Sequence, residues 1–165
     1  MLSISQKITP HLWFAEKAEE AAAFYASVFP NSRVDSVTSV PADTPSGPAG
    51  TVKLVEFTLA GQLFMAISAG PLDPFNHAVS FVVGCENQAE VDHYWSKLLD
   101  GGTAEQCGWL RDRYGLSWQI VPRALGEMMK DGDRARAKRV TEAMLGMVKL
   151  DIAGLRAAYE GRSAA

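Results

Sequence analysis

The stretch AEVDHYWSKLL, residues 89–99, decides the fold, because its apolar pattern occurs twice in the chain. One face of the helix that it predicts carries Val91, Tyr94, Trp95, Leu98 and Leu99. Residues 19–29, EEAAAFYASVF, repeat the pattern, and each matching pair is 70 residues apart, as are Phe24 and Tyr94. Asn87 and Glu90 are spaced as a helix cap and its partner. The repeat therefore predicts two copies of one amphipathic helix.

The flanks of the two helices agree as well. Strand-like segments surround the first helix at residues 8–14, 33–40, 51–59 and 63–68. Corresponding segments surround the second helix at residues 77–83, 103–107, 108–114 and 116–121. The sequence thus predicts an α+β fold of two βαβββ modules. The alternative is two unrelated helices that share a generic pattern.

A helical tail follows the two modules. Residues 123–129 and 134–147 have helical periodicity, and Asp151 is placed to open a last helix. We expect the modules to occupy residues 1–70 and 71–122. A C-terminal helical extension would then occupy residues 123–165, and the whole chain would form one compact domain.

Composition restricts the classes of partner. The 165 residues are 47% apolar and 21% charged with a net charge of −3, which is typical of a globular chain and favours neither nucleic acid nor a membrane. The N-terminus lacks the pattern of a signal peptide, so we expect a cytoplasmic protein. Cys85 and Cys107 are isolated from each other and from histidine clusters, which gives little support to a disulfide or a zinc site.

Several blocks of the sequence resemble one known family. They are ITPHLWF (residues 8–14), AEEAAAFYASVFPNSRV (18–34) and LLDGGTAEQCGWLRDRYGLSWQIVP (98–122). These blocks are similar to the PhnB-like proteins of the vicinal oxygen chelate superfamily, also known as the glyoxalase, bleomycin resistance and dioxygenase superfamily. The resemblance implies that the two modules form a curved mixed sheet around a shared cleft, that the protein is a homodimer, and that the cleft takes a small-molecule ligand.

The resemblance also implies positions for a metal ion. Metal-using relatives hold a divalent cation with side chains from the first and last strands of each module. Those positions fall on His11, near Met65, on His77 in the fifth strand and on Gln119 in the eighth. Such a site would offer two imidazoles and one amide but no carboxylate. One hypothesis is a zinc, nickel or manganese ion on His11, His77 and Gln119, and the other is a metal-free site. A one-residue slip of the first strand would turn His11 away from the cleft.

Other residues are candidates for the ligand site. Trp13, Phe75 and Trp109 are aromatic residues for the wall of a cleft, although Trp109 is equally suited to a core. Arg111 shares a face with Trp109 and has the planar group that grips a carboxylate or phosphate, but arginines at a hairpin end are usually solvated. Glu56 is a candidate base only if it faces the cleft.

Two classes of function stay open at this point. The PhnB-like domain is also called 3-demethylubiquinone-9 3-methyltransferase, but the sequence has no glycine-rich motif for S-adenosylmethionine. We favour a protein of unassigned activity that binds a small molecule without a strongly held metal. The alternative is a divalent-metal-dependent lyase, isomerase or transferase, with His11, His77 and Glu56 as catalytic candidates. Whether the protein is an enzyme is left undecided.

Overall fold

The chain divides between Asp73 and Pro74 into two units. Each unit contains a four-stranded sheet with the same arrangement of strands. The computed structural model describes residues 6–162. Residues 1–5 and 163–165, at the outer ends of the predicted first module and of the C-terminal extension, lie outside the described residues. The division of the chain at residues 70 and 122 stays a prediction.

The first module has the predicted order of strand, helix and three strands. Its elements are β1 (His11–Phe14), α1 (Ala18–Val28), β2 (Arg33–Ser39), β3 (Lys53–Leu59) and β4 (Gln62–Ser68). The sheet has the order β1-β4-β3-β2, in which β1 runs parallel to β4 and the other pairs are antiparallel.

Helix α1 covers one face of this sheet. Leu12, Ala66 and Val55 are neighbours across three strands and are buried. They form the core with Ala21 and Tyr25 of α1, which are also buried. Because side chains alternate along a strand, the residues between them project to the opposite face, here called the distal face of the module.

The second module repeats this arrangement. Its elements are β5 (Ser80–Cys85), α2 (Gln88–Leu99), β6 (Thr103–Ala104), β7 (Trp109–Arg111) and β8 (Ser117–Pro122). The sheet order is β5-β8-β7-β6, again with one parallel pair, β5 with β8. Leu110, Trp118 and Ile120 are buried on the face that packs on α2, and the other side of the sheet is the distal face of this module.

The duplication is confirmed by topology and by burial. Tyr25 and Val28 are buried in α1, and their partners 70 residues later, Trp95 and Leu98, are buried in α2. The first strands are instead related by a shift of 71, since buried Phe14 corresponds to buried Cys85. A shift of 71 makes Val82, and not His77, the counterpart of His11.

Three strand predictions were wrong at their ends. The strand predicted over residues 108–114 covers only Trp109–Arg111, because the Asp112 side chain holds a turn directly after it. His77 was placed in the fifth strand, but β5 begins at Ser80, because the Asn76 side chain accepts a hydrogen bond from the Ala78 backbone N–H at 2.8 Å and holds a turn there. The strand predicted over residues 103–107 ends at Ala104. Its second half turns sharply, with Cys107 in the left-handed region at φ 60°.

The C-terminal helices are α3 (Arg123–Met129), α4 (Arg134–Leu145) and α5 (Ile152–Tyr159). They share a small core of Leu125, Met128, Val140, Leu150 and Leu155. Asp133 and Asp151 cap α4 and α5 with their side chains, so the predicted start of the last helix is confirmed. The C-terminal helices belong to the same unit as the second module.

Candidate functional site

On the distal face of the first module, one row of side chains crosses the sheet. The backbone register places His11 beside Met65, Met65 beside Glu56, and Glu56 beside Ser36. Leu12 and Phe14 point to the helix, so the exposed His11 points to the distal face, and no slip turns it away. His11 and Glu56 therefore share one face of the module.

Glu56 and Trp13 have local partners on this face. The Ser36 hydroxyl donates a hydrogen bond to Glu56 Oε2 at 2.7 Å. The Trp13 indole N–H donates to the Gly70 carbonyl at 2.9 Å, which fixes the half-buried ring two residues after His11. The first module thus presents an aromatic ring, an imidazole and a carboxylate on the same side.

The corresponding row of the second module has different chemistry. Val82 lies beside Gln119, Gln119 beside Trp109, and the Trp109 carbonyl accepts a hydrogen bond from the Glu105 N–H at 2.9 Å. The Gln119 side chain is half-buried and its Nε2 donates to the Ser80 hydroxyl at 2.9 Å. A glutamine interrupts this apolar strand because its position faces away from the helix core.

A three-residue cluster stands beside this row. Glu105 Oε2 lies 2.5 Å from His77 Nε2, and Glu105 Oε1 accepts a hydrogen bond from Arg111 Nε at 2.8 Å. The Glu105 side chain is 21% exposed, against 55% for His77 and 45% for Arg111, so the carboxylate lies inside the cluster and its partners lie outside. The His77 ring is 5.9 Å from the Trp109 ring, between centroids. We call these residues the His77–Glu105–Arg111 cluster.

Next to this cluster lies a hydroxyl without a partner. Ser117 is fully buried, and its Oγ has no hydrogen bond among residues 6–162. Its neighbours across the sheet are Ser80 and Arg111, so it projects to the distal face between them. Burying a hydroxyl without a hydrogen bond costs about 1–3 kcal/mol, which makes this position unusual in a folded protein.

The hairpin that carries these residues is organised by Asp112. Its Oδ1 accepts hydrogen bonds from the Tyr114 and Leu116 backbone N–H groups at 2.8 and 3.1 Å, and its Oδ2 accepts one from Trp118 Nε1 at 2.8 Å. Asp112 is buried, although charged residues at a hairpin end are usually solvated. Its hydrogen bonds are local and hold the turn between β7 and β8.

Sequence reasoning missed Glu105 and Ser117. Glu105 follows β6 and lies opposite Trp109 of β7, to whose carbonyl its backbone N–H donates. This cross-strand pairing was the signal that could have brought Glu105 to the Trp109 site. The predicted aromatic residue Phe75 lies half-buried two residues before His77. The cleft predicted between the modules stays a prediction.

The residues predicted to hold a metal ion come from both modules, and each module supplies only part of the set. Among residues 6–162, no group of three or more His, Cys, Asp or Glu side chains is arranged to hold a metal ion. His77 is paired with Glu105, and Val82 occupies the strand position that corresponds to His11. The residues of either module taken by itself do not fit a metal ion, and a metal on His11, His77 and Gln119 stays a prediction.

Comparison with known proteins identifies the family. The model of the family described as 3-demethylubiquinone-9 3-methyltransferase matches residues 6–121. The chain belongs to this family. The PhnB-like fold is shared with the PhnB protein from Bacillus cereus, at 38% identity and a TM-score of 0.62, over 71% of this chain and 99% of that one.

More distant structures share the fold of this PhnB-like chain. Protein PA1353 from Pseudomonas aeruginosa is 20% identical with a TM-score of 0.55, over 72% of this chain and 98% of that one. The fosfomycin resistance protein FosX from Listeria monocytogenes is 16% identical with a TM-score of 0.55, over 78% of this chain and 99% of that one. At these identities the likenesses show a shared fold. No curated protein matches it. None of the helices within residues 6–162 is long and apolar enough to cross a membrane.

Proposed function

We propose that this PhnB-like protein binds a small, planar, oxygen-bearing molecule on the distal face of its second module, without a strongly held metal. The observation that supports this proposal is the His77–Glu105–Arg111 cluster next to the half-buried Trp109 ring. Ligand sites typically combine an apolar wall with a few polar groups that fix the ligand's orientation, and this face offers both.

Each group has a role that follows from its chemistry. The Trp109 ring provides a flat apolar surface against which a planar ligand can stack. The Gln119 amide, held by Ser80, can hydrogen-bond an oxygen or N–H at the edge of the ligand. The exposed His77 and Arg111 side chains supply further donors and are both anchored on Glu105.

Glu105 supports a site that works without a metal. Its two carboxylate oxygens already face two cationic or ionisable groups, Arg111 and His77. A carboxylate neutralised by side chains needs no metal ion to compensate its charge. The half-buried carboxylate then serves to orient its two partners.

Tryptophan fluorescence tests the binding proposal. Benzoates, phenylacetates and cinnamates, each with its carboxamide, are titrated against the parent protein, Trp109→Phe and the matched control Trp95→Phe. Trp95 is a buried residue of α2. We expect a saturable signal that is lost in Trp109→Phe and kept in Trp95→Phe. Failure of every compound to perturb the parent would exclude the proposed function.

Metal analysis tests the second part of the proposal. We expect protein purified without a histidine tag or chelator to contain far less than one metal ion per chain, also after soaking with zinc, nickel or manganese. A stoichiometric metal that disappears in both His11→Ala and His77→Ala would contradict this and favour the divalent-metal-dependent lyase, isomerase or transferase.

A further inference from the structure

The unpartnered Ser117 hydroxyl lies at the centre of a polar row. Ser80 on one side already accepts a hydrogen bond from Gln119, and Arg111 on the other side donates to Glu105. Ser117 itself is bonded to neither, although the backbone register places it directly between them. The protein therefore buries a hydrogen-bonding group and leaves its partner to be supplied from outside the described residues.

Arg111 has unused donors next to this hydroxyl. A guanidinium carries five N–H groups, and the contact with Glu105 uses the one on Nε. For the four on the Nη atoms, no acceptor is described within residues 6–162. Carboxylates commonly bind to such a pair of Nη donors, with both oxygens engaged.

We infer that the ligand of the second module carries a carboxylate, which Arg111 and Ser117 bind. This inference rests on the function proposed above and names the chemical class of the ligand. The charge of the site favours one negative charge on the ligand over two, because Glu105 already occupies one side of the Arg111 guanidinium. A phosphate, with a charge of about −1.5 to −2 at neutral pH, would be repelled more strongly by Glu105 than a carboxylate would be.

A ligand reaches the fully buried Ser117 hydroxyl only after a neighbouring side chain moves, and the proposal assigns this movement to Arg111. Ser117 is fully buried, whereas the Arg111 side chain on the adjacent strand is 45% exposed and is attached through its contact with Glu105. When Arg111 turns toward an incoming carboxylate, its Nη groups and the Ser117 hydroxyl can both reach the same anion. The ligand thus completes the hydrogen bonding that the free protein leaves open.

Calorimetry with the same panel of aromatic carboxylates and their carboxamides tests the inference. The variants are Arg111→Gln and Ser117→Ala, and the matched controls are Arg113→Gln, on the same hairpin but paired with Asp100, and Ser96→Ala on the exposed side of α2. We expect the parent to prefer each carboxylate to its carboxamide. Arg111→Gln should weaken carboxylate binding about ten- to a hundredfold and Ser117→Ala about tenfold, with the controls unchanged.

The outcomes separate the inference from the function on which it rests. Carboxamides that bind as tightly as carboxylates, or carboxylate affinities that neither variant changes, would overturn the inference and leave small-molecule binding in place. Phenylphosphonate that binds more tightly than benzoate would also overturn it. If no member of the panel binds at all, the proposed function fails together with the inference.

Discussion

At Asp112, a buried carboxylate accepts hydrogen bonds from two backbone N–H groups and one indole. Asp112→Ala leaves these donors without an acceptor, and each buried unsatisfied group costs about 1–3 kcal/mol. We therefore expect the free energy of unfolding in urea to fall by about 3 kcal/mol or more. Asp43→Ala, which removes one hydrogen bond in an exposed loop, should cost about 0.5 kcal/mol or less. Equal losses in the two variants would contradict this role of Asp112.

The two cysteines should differ in reactivity. Burial, followed by the charge of Glu90, raises the pKa of the Cys85 thiol from 9.0 to about 11. At pH 8 Cys85 is protonated and inaccessible, so a disulfide reagent should label the half-buried Cys107 first and Cys85 only after unfolding. Because the folded pKa is the higher one, the stability linked to Cys85 is present below about pH 9 and is lost as the pH rises toward 11. Rapid labelling of Cys85 in the native protein would contradict this prediction.

At the scale of single elements, the two repeated helices begin differently. The Asn87 side chain accepts a hydrogen bond from the Glu90 N–H and caps α2, whereas Lys17 precedes α1 without a side-chain cap. Asn87→Ala should lower the free energy of unfolding by about 1 kcal/mol. Lys17→Ala keeps the left-handed backbone and loses no cap, so urea unfolding should change little. A loss in Lys17→Ala as large as in Asn87→Ala would argue against the cap.

Local signals explain which elements were predictable. The cap and its partner at Asn87 and Glu90, the apolar stripe of α2 and the opening of α5 at Asp151 all depend on residues within one or two turns, and these predictions were confirmed. The start of β5 was missed because the Asn76 turn competes with the strand pattern that begins at His77. Glu105 was missed because its partners His77 and Arg111 lie 28 and 6 residues away. Sequence periodicity does not reveal which side chains meet across strands.

At the scale of the whole molecule, we predict a homodimer. The edge strand β5 exposes Val82 on the distal face, and Val79 just before the strand is exposed as well, so two apolar side chains lie uncovered at an edge of the described sheet. Light scattering should give about twice the 17.9 kDa of one chain. Val82→Lys should shift the protein toward monomer. A parent protein that is monomeric at micromolar concentration would contradict the prediction.

The parallel pairing of the edge strands has a consequence for the order of folding. The β7–β8 hairpin joins residues close in sequence, such as Arg111 and Ser117, whereas β1 pairs with β4 through His11 and Met65, and β5 pairs with β8 through Ser80 and Ser117. Closing a longer loop costs more chain entropy, so the hairpins form early and the parallel edge strands join last. His11 and Ser80 therefore take their places only after the rest of each sheet exists. We therefore expect transient unzipping to begin at β1 and β5, which would expose the ends of the rows that His11 and Ser80 occupy.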